Sequence, residues 1–70
     1  MERQSMSSSN ISSVGYDSES HTLEVEFHSG GVYQYFDVPQ SIYDALMHAS
    51  SHGSYFHRHI KDQYRWVEII

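Results

Sequence analysis

The chain contains no cysteine, which excludes both a disulfide framework and a thiolate zinc site. Any core must therefore come from apolar and aromatic packing or from oligomerisation. Nowhere is there an apolar run near the roughly 18 residues of a membrane span, and Met1 to Ile11 lacks the apolar centre of a secretory signal. The expectation is a soluble, cytoplasmic protein with no membrane role. Cations are scarce too, with four Lys and Arg against nine Asp and Glu and a net charge of −5. That balance disfavours strong general binding of nucleic acid, whose affinity comes mainly from neutralising phosphates. Nucleophile elbow, phosphate loop and paired-carboxylate setting are all missing. A chain of 70 residues has little room for a cleft that desolvates a nucleophile, so no enzyme, catalytic residue or cofactor is expected.

What is present is a strand pattern. Leu23, Val25 and Phe27 alternate with Glu24, Glu26 and His28, the period of a strand with one dry and one wet face. A glycine-containing turn leads to a second strand with Tyr33-Gln34-Tyr35. The turn decides which face the tyrosines take, because a slip of one residue turns every side chain over. A three-residue loop, His28-Ser29-Gly30 with Gly30 left-handed, sets Tyr33 opposite Val25 and Tyr35 opposite Leu23, inside the core. A two-residue loop, Gly30-Gly31, leaves both rings on the solvated face, where they could stack on a base. Tyrosine pairs on a sheet more often pack than recognise, so the first loop is preferred.

Around this pair, residues 1–9 are small, polar and aperiodic, which predicts a disordered N-terminal tail ahead of a single domain, 10–70. Ile11, Val14 and Tyr16 introduce a first strand, closed by the turn formers Asp17-Ser18-Glu19-Ser20. Pro39 suits the first turn of a helix running to about Ala49, with Ile42, Ala45, Leu46 and Ala49 as its apolar stripe. Gly53 offers a left-handed cap to that helix, and Ser54 a cap to a second one from about Tyr55 to Gln63. Trp66 to Ile70 is aromatic and β-branched, suited to an extra edge strand or to covering a neighbouring chain. The fold class is thus α+β: a three-stranded antiparallel meander, then two short helices, with a C-terminal strand as an option.

Charge is polarised along the chain. Residues 1–52 carry a net −6, whereas Arg58, Lys61 and Arg65 against Asp62 and Glu68 give residues 53–70 a net +1. On a second helix Phe56, Ile60 and Tyr64 face the core and turn Arg58 and Lys61 outward together, with Arg65 joining them if the helix passes Gln63. These cations are candidates for phosphate contacts, and Tyr55, Tyr64 and Trp66 for stacking on bases of RNA such as tRNA. The plainer reading makes them a solvated helix face. A second functional reading takes the acidic sheet face and the aromatic C-terminus as protein-interaction surfaces, in a homodimer or against a larger host enzyme. Six histidines are present, but His48, His52, His57 and His59 match no ligand spacing, and no metal is expected.

Together these segments form a recognisable series. Ser9-Asn10-Ile11, Val14-Gly15-Tyr16-Asp17, Leu23-Glu24-Val25-Glu26-Phe27, Gly31-Val32-Tyr33-Gln34-Tyr35, Val38-Pro39, Tyr43-Asp44-Ala45-Leu46, Ala49-Ser50-Ser51-His52-Gly53-Ser54-Tyr55-Phe56, Ile60 and Tyr64 resemble, in order, a KTSC domain. That family is named for the C-terminus of some lysyl-tRNA synthetases and also occurs as free-standing small bacterial proteins. The resemblance covers roughly residues 9–66 and implies a link to RNA through attachment to a synthetase. At its end the family's usual tyrosine-proline is replaced by Tyr64-Arg65-Trp66.

Overall fold

The alternation around Val25 forms the middle strand of a five-stranded antiparallel sheet in a computed structural model that describes residues 1–70. Strands β1 (Gln4–Ser5), β2 (Ile11–Asp17), β3 (Thr22–Phe27) and β4 (Val32–Tyr35) precede helices α1 (Gln40–His48) and α2 (His52–His59), and β5 (Trp66–Glu68) closes the chain. Spatial order equals chain order, so the sheet is a simple meander extended by one strand at each edge. The three-stranded expectation thus understates the sheet, although the α+β class holds. Residues 66–68 take the edge-strand option, pairing Trp66 with Tyr35 and Glu68 with Tyr33.

The register follows the three-residue turn. Val25 lies opposite Tyr33 and Leu23 opposite Tyr35, the Phe27 amide donates to the Gly31 carbonyl, and Gly30 has φ +107°, where only glycine is unstrained. Both tyrosines therefore turn towards the helices. In β2 the uneven spacing of Ile11, Val14 and Tyr16 is absorbed by a bulge between Ile11 and Ser13, which inserts one residue and returns Val14 to the dry face. Asp17 closes the next turn by accepting from the Glu19 amide and the Ser20 hydroxyl. The Ser20 bond, more than any other influence, holds the Asp17 carboxyl below its ordinary range.

Helices α1 and α2 cover one face of the sheet. Leu46, Phe56 and Ile60 meet Ile11, Val14, Leu23, Val25, Tyr35 and Val38 in one buried cluster. Tyr16 stacks on Tyr43 at 4.7 Å and donates its hydroxyl to the Val38 carbonyl, fastening α1 to β2. Helix α2 begins earlier than expected: Ser51, not Ser54, is its cap, accepting from the Ser54 amide. Gly53 lies in its first turn rather than in a left-handed cap, where a β-carbon would come within 3.2 Å of the Asn10 amide nitrogen. The orphan carbonyl of Leu46 instead accepts from the Ala49 amide and the His52 Nδ1–H.

The expected N-terminal tail is also corrected. Gln4 and Ser5 pair with Val14 and Ser13, because the opposite sheet face carries Glu24 and Glu26 and draws in the one nearby cation. Arg3 bonds Glu24, donates to Ser13 Oγ at 2.8 Å and approaches Glu26 at 3.7 Å. Gln34 donates to the other Glu24 oxygen. So covered, Glu24 is 4% exposed. No helix is long and apolar enough to cross a membrane.

Candidate binding cleft

Three sequence decisions converge between α2 and the β4–β5 side of the sheet. The left-handed Gly30 turns Tyr33 and Tyr35 inward, the Ser51 cap starts α2 early enough to bring Phe56 over them, and β5 sets Trp66 beside Tyr33. Three pairs meet edge to face, Phe56 at 5.3 Å from both Phe27 and Tyr35 and Tyr33 at 5.6 Å from Phe27, while Tyr33 and Trp66 lie tilted at 5.5 Å. Between them opens a cleft of about 530 Å³, with Asn10, His28, His57, Lys61 and Asp62 also lining it. This volume lies within the usual range of small-molecule sites, roughly 300–1,000 Å³. Trp66 stays 52% exposed, unusual for the largest apolar side chain in a small domain.

The sequence-predicted residues divide at this cleft. Lys61 and Trp66 line it, as do Tyr33 and Tyr35, whereas Arg58, Arg65, Tyr55 and Tyr64 do not. The three cations do not share one helix face, because α2 ends at His59. Arg58 lies in α2, Lys61 in the following turn, and Arg65 leads into β5 with its guanidinium 5.3 Å from the centre of the Phe36 ring. All three are exposed. Both salt bridges of the chain belong to Arg3, so Arg58, Lys61 and Arg65 are free of carboxylate partners. Tyr55 packs against His59 at 4.4 Å, and half-buried Tyr64 packs against the core.

The histidines do not assemble. His48 Nδ1–H donates to the Asp44 carbonyl and His52 Nδ1–H to that of Leu46, while His57 lines the cleft and His59 lies against Tyr55. No three His, Cys, Asp or Glu side chains stand close enough to hold a metal ion. Sequence reasoning assigned Phe27 and Phe56 to the core alone and left Asn10, His28 and His57 without a role. The usable signal was the turn parity, which places the end of β3 and the start of β4 under the same helix that bears His57 and Lys61.

Tyr35 reports on the dryness of the cleft floor. It is 4% exposed, and burial, with smaller effects from Tyr33 and Asp62, pushes its hydroxyl up to about 12. The fold favours the neutral phenol, so the associated stability is intact below the ordinary value near 10 and disappears as pH rises from there to about 12. Absorbance titration near 295 nm should show one tyrosine ionising last, together with loss of helical circular dichroism. Simultaneous ionisation of all six tyrosines before any unfolding would contradict the dry floor.

Comparison with known proteins agrees on the family. The KTSC domain model matches residues 7–64. An uncharacterised protein of Stutzerimonas stutzeri is 44% identical over 70 residues, 99% of either chain. A lysine–tRNA ligase of Trichormus variabilis is 41% identical over 59 residues, 84% of this chain but 10% of the ligase; the chain thus spans about a tenth of that enzyme. The crystal structure of a KTSC domain protein from Yersinia pestis is similar throughout, with a TM-score of 0.96 at 39% identity, covering 99% of this chain and 97% of that one.

Proposed function

The chain belongs to the KTSC domain family, and from that premise we propose that it is a non-enzymatic module that binds RNA weakly, tRNA being the first candidate, and acts in the cytoplasm. Arg58, Lys61 and Arg65 contact phosphates, while Trp66, with Tyr55 or Tyr64, stacks on exposed bases. The observation that carries this reading is that three exposed cations without carboxylate partners lie close in sequence to an exposed Trp66 in an otherwise acidic chain. Similarity to a segment of a lysine–tRNA ligase favours the same ligand class.

Three phosphate contacts to a single strand give a salt dependence with a log–log slope of only about −2. Titration of labelled tRNA at low salt should show the R58A/K61A/R65A variant weakened at least about tenfold, with most of that slope gone. Superimposable curves for the two proteins would remove the proposal. A protein-interaction reading has its own supporting observation: Val67, Ile69 and Ile70 are exposed on and beyond the edge strand β5, the kind of edge to which a second chain adds. A homodimer formed there would show a mass that doubles with concentration in light scattering; a host enzyme would occupy the same edge.

A further inference from the structure

We propose that the aromatic cleft receives one nucleotide of the RNA, its base unstacked from the strand and its phosphate at Lys61; this rests on the RNA-binding reading and deepens it. The cleft is bounded by Phe27, Tyr33, Tyr35, Phe56 and Trp66; buried Tyr35 and Phe56 form its floor, while half-buried Phe27 and Tyr33 and exposed Trp66, set edge to face and tilted, offer ring surface to a flat ligand. Flatness alone would admit any arene. The other lining groups narrow the choice: Lys61 is an unpaired cation, His57 is an exposed imidazole, His28 is one whose Nε2–H is taken by the Ser8 carbonyl, and Asn10 brings an amide with both donor and acceptor. A ligand that combines a planar ring, a hydrogen-bonding edge and an anion matches all of them, and a ribonucleotide is that combination. Asp62 also lines the cleft, and its carboxylate opposes the phosphate, which keeps the affinity low.

Charge complementarity separates this occupant from a peptide or a second copy. Each copy carries a net charge of −5, so a second copy is repelled as a whole body, whereas a small anion has only to reach Lys61, whose charge Asp62 balances within the cleft. Arg58 and Arg65 stand outside the cleft, so they serve the strand on either side of the captured nucleotide and leave the pocket itself unchanged. That division makes the pocket and the wider RNA contact separately testable.

Trp66 is the only tryptophan and lines the cleft, so its fluorescence reports occupancy. Titration with AMP, GMP, CMP and UMP should quench it saturably for at least one of the four, with a midpoint of about 1–10 mM. Adenosine and ribose 5-phosphate should bind at least about tenfold more weakly, since each lacks one half of the recognised chemistry. K61A should weaken binding about tenfold. D62N should strengthen it about threefold, a gain that a misfolded protein cannot imitate. The R58A/R65A variant should keep the mononucleotide midpoint within about twofold while losing tRNA affinity, and tRNA should displace the mononucleotide from wild type. Absence of quenching and of amide shifts at Gly53 and Ser29 up to about 20 mM would overturn the inference; if tRNA still bound, the RNA-binding reading would survive alone. Equal binding of adenosine and AMP would reduce the cleft to a general apolar pocket. A dimeric mass whose cleft amides shift on dilution would assign it to a second copy.

Discussion

Leu46→Ala is expected to lower the free energy of unfolding by about 2–5 kcal/mol. Leu46 is the one fully buried residue of α1, so the cavity opens where the helix has its main anchor. Alanine is the better helix former by only a few tenths of a kcal/mol, which does not offset a lost side chain and the void it leaves. The loss is large against the whole, because a domain of this size is stable by roughly 3–5 kcal/mol from a single core. Urea unfolding followed by circular dichroism should show a midpoint near zero denaturant, with Ile42→Ala, at a half-buried position, losing clearly less. A Leu46→Ala loss below about 1 kcal/mol would mean that α1 is held mainly by the Tyr16–Tyr43 stack rather than by the cluster.

Much of this packing is legible in the residues themselves. Leu23, Val25 and Phe27 declare their face by alternation, and one glycine with no side-chain penalty at positive φ sets the register of Tyr33 and Tyr35. The stripe through Ile42 and Leu46 places α1 within one or two residues of its observed span. Two features are hidden by the kind of signal they use. Strand β1 has only Gln4 and Ser5 and no apolar pattern; its sequence mark is Gly15, where a β-carbon would meet the Glu2 carbonyl oxygen at 2.5 Å, the close approach that a glycine inside a strand often marks. Helix α2 is capped by one serine among several, and the spacing alone does not tell Ser51 from Ser54; the structure has Ser51 accepting from the Ser54 amide, with Gly53 set against the Asn10 side chain.

The candidate site is legible in part for the same reason. Lys61, Trp66, Tyr33 and Tyr35 reach the cleft, but Phe27 and Phe56 look like ordinary core in a pattern that scores only apolar spacing. The helix end at His59 depends on a turn without proline or glycine, so the separation of Arg65 from Arg58 is not visible in their spacing. An acidic wet face is likewise easy to read as solvated, although two glutamates two residues apart on one strand repel unless a cation lies over them. Arg3 is that cation, supplied by a segment with no other structural signal.

Arg3→Ala should therefore cost more than loss of a surface arginine. Removing one partner of a buried pair costs about 3–5 kcal/mol; Arg3 keeps a quarter of its side chain in water, 26% against 6% for Glu24, so about 2–3 kcal/mol is the expected loss at pH 7. The dependence on pH separates this cause from lost packing. Burial pushes the Glu24 carboxyl up, but hydrogen bonds from Gln34 and Arg3, with the charge of Arg3, together outweigh it and hold the group below its usual range. In wild type the stability from Glu24 is thus present above the ordinary value of 4.5 and is lost as pH falls through the lowered one. Without Arg3, burial is opposed only by the Gln34 bond and the N-terminal charge, so the carboxyl rises relative to wild type and protonation costs the variant less. Urea unfolding should give a gap between wild type and Arg3→Ala that narrows to below about 1 kcal/mol near pH 3.5. At pH 7, adding Glu24→Gln to Arg3→Ala should recover at least about 1 kcal/mol, because a neutral amide in that position needs no cation. A gap independent of pH, unmoved by Glu24→Gln, would leave Arg3 as a cover for the sheet and not the counter-charge of Glu24.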